Sequence, residues 1–197
     1  MEKVTSAARP AGRRSDSRQR LLDAALMLFA RNGVNGTSLQ MIADELGVTK
    51  AAVYHQFNSK AEIVLAVAAP ALAQMDALVS HAEGLDSRRD QFTDMLAGLV
   101  RLVLDNGAFA ATLQRDPEMN RLLREDARYS GLTSRMDTLL IGPTPEPAAR
   151  VALAAAGGGL MVAGIDPALA GIDPDTIGRV LLESARATLK PYTDADL

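Results

Sequence analysis

The chain has 197 residues, of which 48% are hydrophobic and 4% aromatic, with no cysteine and a formal net charge of −3. This length allows one large domain or two small ones with an aliphatic core, and the lack of cysteine excludes disulfides, thiolate metal sites and cysteine catalysis. The charge is unevenly divided, because residues 1–60 carry 9 Lys and Arg against 5 Asp and Glu, whereas residues 61–197 carry 12 against 19. A basic N-terminal third is typical of a DNA-binding head joined to a body that does not touch DNA.

Residues 1–14 combine Pro10, Gly12 and four basic residues without helical periodicity, which predicts a disordered basic arm. Such an arm either follows DNA or is a solvated tail. A first helix is predicted from Asp16 or Ser17 to Asn32, which Gly33 ends. Alternation of strand period is absent from the whole sequence, so we predict an all-α fold.

Residues 37–60 have the pattern of two short helices joined by a tight turn. Thr37 and Gln40 have capping-box spacing. Ala43, Gly47 and Val53 have the spacing of a helix-turn-helix, in which a small residue allows close approach, glycine makes the turn and valine fills the gap. Thr49 is placed to cap the second helix. The two short helices and the first helix together form a three-helix head. Its predicted core is Phe29, Ile42, Leu46, Val48, Val53 and Phe57.

The remaining sequence has helical periodicity throughout. Helices are predicted at about 60–82, with a kink or break at Pro70, and at 87–105, 108–115 and 118–140. A proline-rich loop at 142–147 precedes a helix that runs to about 165, and the last helix spans 174–190. The chain is therefore expected to contain about nine helices.

Residues 17–68 resemble the N-terminal domain of the TetR family of bacterial transcriptional regulators. The resemblance rests on the IA pair, the LGVT turn, the Tyr-x-x-Phe step and the Ser-Lys step, all at family spacing, and it covers about a quarter of the chain. Gln56 stands where the family often has His, and Ala61 where it often has Glu. The resemblance implies a helix-turn-helix DNA-binding domain at 15–60 and an effector-binding and dimerisation domain at 61–197.

The resemblance also implies which side chains meet DNA. The second helix of the motif would lie in the major groove of a palindromic operator, with base contacts from some residues and phosphate contacts from others. The predicted base contacts are Gln40, Lys50, Ala51 and Ala52, and the predicted phosphate contacts are Thr37, Ser38, Thr49, Tyr54, His55 and Lys60.

Three consecutive glycines, Gly157 to Gly159, lie inside a predicted helix. A phosphate loop is rejected, because Leu160 and Met161 follow where Lys and Ser or Thr are required. In the resembled family the last two helices pair with those of a second subunit, so we expect a homodimer. The alternative is that these faces are monomer core. The predicted interface is Val151, Ala155, Gly158, Val162, Ile165, Ile177, Val180, Leu181, Ser184 and Thr188.

An effector cavity inside the body is implied in the same way, although a residue of this kind is more often plain core than ligand wall. Methionine and aliphatic walls suit a flexible apolar ligand. The candidates are Met75, Leu78, Met95, Leu99, Phe109, Leu113, Leu122, Leu123, Tyr129 and Met136.

No enzyme constellation is present, because the two histidines lie in different segments and the carboxylates lie at helix ends. No cofactor, metal site or secretory signal is expected, and no apolar run of about 18 residues predicts a membrane span. We therefore predict a cytoplasmic, sequence-specific transcriptional regulator, a repressor released by a small apolar ligand. The alternative is a regulator controlled by a protein partner, or an activator, without a small-molecule effector.

Overall fold

The structure, a computed structural model, describes residues 11–164 and 166–193. This part of the chain contains ten α-helices and two single 3-10 turns but no strand, which confirms the all-α prediction. The helices are α1 (Ala11–Gly36), α2 (Leu39–Leu46), α3 (Lys50–Tyr54), α4 (Lys60–Glu83), α5 (Arg88–Asp105), α6 (Gly107–Arg115), α7 (Pro117–Glu125), α8 (Ala127–Ile141), α9 (Pro147–Ala163) and α10 (Pro174–Leu189).

The start of α1 differs from the prediction. Residues 11–14, assigned from sequence to the basic arm, belong to this helix, and residues 1–10 of that arm lie outside the described residues. Near its end, Gly33 adopts a φ of 73°. A left-handed backbone at that point is accessible to glycine without strain, so the regular helix is interrupted where the sequence predicts its C-cap.

The chain divides into two compact units, with the division between Val67 and Ala68 inside α4. The first unit, the head, contains α1, α2, α3 and the start of α4. Its apolar centre is fully or almost fully buried, with a Phe29 side chain that is 1% exposed. Members of this core include Leu21, Phe29, Val34, Ile42, Val53 and Phe57.

Val48 was predicted to belong to that core, and this was wrong, because its side chain is 44% exposed. The turn depends instead on the Val48 backbone, whose N–H donates to the Ala43 carbonyl at 3.0 Å. Gly47 at φ 63° allows this chain reversal. The side chain after the turn is therefore free to face solvent.

The second unit, the body, contains the rest of α4 and helices α5 to α10. One aliphatic core connects α4, α5, α8, α9 and α10, with Met95, Leu140 and Leu189 almost fully buried. The predicted single helix at 118–140 is two helices, α7 and α8. Asp126 separates them because its carboxylate accepts hydrogen bonds from the N–H groups of Arg128 and Tyr129, which makes it the N-cap of α8.

A surface network joins α4 to α8 within the body. The Arg135 guanidinium donates to Asp76 at 2.8 Å, to Glu83 at 2.7 Å and to the Ser80 hydroxyl at 3.1 Å. The hydrogen bond from Arg135 lowers the pKa of the Glu83 carboxyl. These groups are solvent-exposed, so the network fixes the register of two helices more than it adds to stability.

The apolar composition of α4 has a structural explanation. An 18-residue window of this helix reaches a mean hydropathy of 1.8, so by length and composition α4 could cross a membrane. Core helices of globular proteins pass the same test. Ile63 and Val64 are buried within the head, and Met75 and Val79 are buried within the body. Of that window 39% is buried, so packing within the two units accounts for part of its apolar composition.

Candidate DNA-binding surface and body cavity

Local hydrogen bonds define the two short helices of the head. Ser38 is the N-cap of α2, and its hydroxyl oxygen accepts the Met41 N–H at 3.1 Å. Thr49 is the N-cap of α3, and its hydroxyl oxygen accepts the Ala52 N–H at 3.2 Å. Since Gly47 supplies the left-handed residue between them, the motif has the local geometry of a helix-turn-helix.

Thr37 is not placed to contact phosphate, contrary to the sequence prediction. It is 1% exposed, and its hydroxyl donates to the carbonyl oxygens of Gly33 at 2.8 Å and Leu28 at 3.2 Å. The N-cap of α2 is Ser38, one residue after the predicted Thr37, and Met41 at the N3 position has no side-chain acceptor, so the predicted capping box does not form. Both Ser and Thr are favoured at the N-cap position, so spacing alone did not distinguish the buried hydroxyl from the capping one.

The residues predicted to read bases all lie on the surface. Gln40, Lys50, Ala51 and Ala52 are exposed. The Gln40 amide donates to the Asp44 carboxylate at 2.7 Å, and the Lys50 ammonium lies 5.7 Å from the centre of the Tyr54 ring. An ammonium over an aromatic face is held weakly at an exposed site, so Lys50 retains donors for a ligand.

Among the residues predicted to contact phosphate, Ser38, Thr49, Tyr54 and His55 are exposed. Lys60 differs from them because its ammonium donates to the Thr37 carbonyl at 3.0 Å and is within 3.5 Å of the Asn35 carbonyl. It therefore ties the start of α4 to the loop before α2. These DNA contacts remain predictions.

A cavity of about 290 Å³ lies in the body between α4 and α9. Six of the ten predicted wall residues line it: Met75, Leu99, Phe109, Leu113, Tyr129 and Met136. The other four do not. Met95 and Leu123 are fully buried core residues, Leu78 packs on Gly98, and Leu122 does not reach the cavity.

The wall contains polar side chains but no charged ones, its polar members being Asn106, Gln114, Asn120, Tyr129 and Thr133. Several are already engaged, since the Asn106 amide donates to Gln74 and Leu102, and the Asn120 amide donates to the Leu113 carbonyl. Burial raises the pKa of the Tyr129 phenol, so it stays neutral. Among the described residues no hydrogen-bond partner is found for its hydroxyl.

Sequence reasoning missed most of the polar wall. Asn106 was predicted only to end a helix, which it does as the C-cap of α5. Gln114 and Asn120 were not singled out at all. Uncharged amides on apolar helix faces were the available signal, because such positions usually satisfy a buried partner or a ligand.

The predicted dimer residues lie largely on an open surface of α9 and α10, which pack against each other. Val151 is 69% exposed, Val162 50% and Val180 46%. Ala155 and Ser184 are also exposed, Gly158, Ile177, Leu181 and Thr188 are half-buried, and Ile165 lies outside the described residues. A side chain built at Gly158 would meet no atom within 4 Å. The interface itself remains a prediction.

This chain is similar to known bacterial regulators. Residues 21–67 match the family model described as "Bacterial regulatory proteins, tetR family". The transcriptional regulator SrpR of Pseudomonas putida is 44% identical over 63 residues, 32% of this chain and 30% of that protein. The nicotine-responsive transcriptional repressor HdnoR of Paenarthrobacter nicotinovorans is 43% identical over 60 residues, 30% of this chain and 31% of that protein.

The chain spans less than a third of the length of each of these two relatives. A solved structure extends the similarity to the body. NalD, the secondary repressor of the MexAB-OprM multidrug efflux pump in Pseudomonas aeruginosa, is 26% identical, with 89% of this chain and 97% of that chain covered and a TM-score of 0.63.

Proposed function

Because this chain belongs to the tetR family of bacterial regulatory proteins, we propose that it is a homodimeric, cytoplasmic transcriptional repressor that leaves its operator when a small, uncharged, apolar molecule enters the body. It is not proposed to be an enzyme. The observation that carries the DNA-binding part is the exposed α3, capped by Thr49 immediately after the glycine turn. An α-helix presented in this way fits the major groove.

The base-reading role rests mainly on Lys50. It begins α3 and is exposed, and among the described residues it has no carboxylate partner. A lysine at this position is able to donate to the acceptor edge of guanine. The small side chains of Ala51 and Ala52 let the helix approach the bases closely and contact thymine methyl groups.

Lys50→Ala is expected to weaken binding to the selected operator by about tenfold, with a smaller effect on random duplex, because a specific base contact contributes roughly 1–3 kcal/mol. The operator would first be obtained by in vitro selection from random duplexes. Fluorescence anisotropy at fixed salt then gives the two affinities. Equal losses on both duplexes would contradict the base-reading role.

Lys60→Ala provides the comparison. Loss of a lysine that contacts phosphate is expected to weaken binding to all DNA sequences alike. It also reduces the magnitude of the slope of log affinity against log salt by about one. Because this ammonium also holds the Thr37 carbonyl, the melting temperature of each variant must be measured. If the slope is unchanged, the lysine acts only on the loop.

The cavity supports the ligand part of the proposal. Its wall is mainly apolar, it opens on one side to solvent, and among the described residues no charged side chain lines it that would neutralise a charged ligand. Burying an unpaired charge there would cost several kcal/mol. Binding would act by population shift, since a ligand that prefers the form unable to span two operator half-sites releases DNA by its difference in affinity.

Two dyes with one skeleton test the chemistry of this cavity. N-phenyl-naphthylamine is uncharged, whereas anilinonaphthalene sulfonate carries an anion. The uncharged dye is expected to bind at least about tenfold more tightly, because the sulfonate would lack a partner. Binding is followed by the fluorescence increase, and the bound dye is expected to lower operator affinity.

Two neighbouring substitutions locate the dye. Leu72→Trp fills the cavity from α4 and should abolish binding, whereas Ala73→Trp places the same ring on the exposed side of that helix. Both variants should still bind operator. If the two variants bind the dye equally well, the dye binds outside this cavity. If the wild type binds neither dye, control by a protein partner is favoured instead.

A further inference from the structure

A second cleft, of about 250 Å³, lies in the body between the start of α5 and the end of α10. Its wall is formed by Arg89, Phe92 and Thr93 on α5, by Arg186 at the end of α10, and by Lys190 and Thr193 just beyond it. It shares no wall residue with the apolar cavity. This basic cleft is not explained by DNA reading or by an uncharged effector.

The charge of the basic cleft is unusual for this body. Among the described residues three cationic side chains line it and no carboxylate does, although residues 61–197 hold 19 acidic against 12 basic residues. Among the described residues, none of the three cations has a carboxylate within salt-bridge distance. Four other arginines of the body, Arg121, Arg128, Arg135 and Arg179, have such a carboxylate partner, whereas Arg101, Arg115 and Arg150 resemble the cleft cations in having none among the described residues.

Two of these cations are neighbours on one helical segment. Arg186 and Lys190 are four residues apart at the end of one helical segment, where like charges are mutually destabilising. Arg89 adds a third positive charge to the wall of the same cleft, from α5. A bound anion would reverse the sign of this interaction.

Hydrogen bonds partly preorganise the cleft. One guanidinium nitrogen of Arg186 donates to the Thr93 hydroxyl at 3.1 Å, which directs this side chain across to α5. The Thr193 hydroxyl donates to the Lys190 carbonyl at 3.0 Å and fixes the chain after α10. Phe92, 4% exposed, forms a rigid floor. The remaining guanidinium N–H groups and the ammonium are available to a ligand.

We propose that this cleft binds a small, multiply charged anion of the diphosphate class. The guanidinium fork matches two oxygens of a phosphate group, and the ammonium supplies a third positive charge. Three cations balance the charge of a diphosphate. The opening of the cleft leaves room for an organic group attached to it.

Such an anion would bridge α5 and α10. The first of these helices lines the apolar cavity through Leu99, Leu102 and Val103, and the second carries part of the predicted dimer surface. The body therefore has a second ligand-binding site, which binds an ionic metabolite, in addition to the cavity for the uncharged effector.

Isothermal titration of the full-length protein with inorganic pyrophosphate tests the proposal, with sodium chloride used to hold ionic strength constant. Saturable binding is expected, together with a higher melting temperature than in chloride alone. The Arg186→Gln, Lys190→Gln double variant should bind at least about tenfold more weakly, because it loses two charged donors.

Arg179→Gln is the matched control, since it removes one positive charge from α10 at a residue paired with Glu183 outside the cleft. It should bind pyrophosphate like the wild type. Asp194 and Asp196 follow Thr193 in the sequence, so replacing both by Asn should leave binding equal or tighter. Wild-type binding no stronger than that of chloride, an unaffected double variant, or weaker binding after loss of the two aspartates would each overturn the proposal.

Discussion

Val180→Glu is expected to leave the protein monomeric at micromolar concentration. Val180 is 46% exposed on α10, beside the exposed apolar face of α9. In a twofold interface each substitution is present twice, so the carboxylates would be buried in an apolar surface and would repel each other. A loss of several kcal/mol would weaken the dimer more than a hundredfold. Light scattering after size exclusion should then give a mass near 20.9 kDa.

Operator affinity should fall in parallel, because a monomer reaches one half-site only. Met27→Glu is the control, since that side chain is apolar and 47% exposed but lies on α1 in the head. It should leave the mass unchanged. A Val180→Glu protein that remains dimeric would remove α10 from the interface, and a wild-type monomer would overturn the whole assignment.

Gly98→Ala is expected to destabilise the protein by about 1–3 kcal/mol, as overpacking does, although alanine is the better helix former. Gly98 is buried in α5, and a Cβ there would lie 2.1 Å and 2.7 Å from the two methyl carbons of Leu78. In a Leu78→Ala background the same change should become stabilising by up to about 1 kcal/mol, because only helix propensity remains. Urea unfolding at one protein concentration measures the free energy of unfolding of the wild type, the two single variants and the double variant.

Gly131→Ala supplies the reference value. It lies inside α8 and is exposed, and an added Cβ would meet no atom within 4 Å. It should therefore stabilise by about the intrinsic difference of roughly 1 kcal/mol. Equal effects of the substitutions at 98 and 131 would show that Leu78 moves aside without cost.

Local signals were sufficient for the architecture of the head. Gly47, Thr49 and Val53 each act within a few residues of their own position, so spacing predicted the turn, the cap and the gap-filling side chain. The errors arose where two local solutions compete. Ser38 caps α2 in place of Thr37, and Asp126 divides a segment whose apolar periodicity continues across it.

The cavity was less predictable for a different reason. A wall residue and a core residue have the same apolar character and the same helical spacing, so Met75 and Met95 are indistinguishable in sequence. The first lines the cavity and the second is fully buried. The difference depends on how α4 to α9 are spaced in three dimensions. The charged cleft was missed because its cations come from segments about 95 residues apart.

Each of the three glycines of α9 favours the helix less than alanine by about 1 kcal/mol, so local opening of this stretch costs less than in an alanine helix. Gly157 borders the cavity and Gly158 lies on the predicted dimer face. A ligand and a second subunit would thus both suppress local opening of the same stretch of α9. Whichever of the two partners binds first bears the free-energy cost of suppressing this opening. The other partner then binds more tightly without any shift in the mean structure. Amide hydrogen exchange at residues 157–161 should record this as protection that either partner confers.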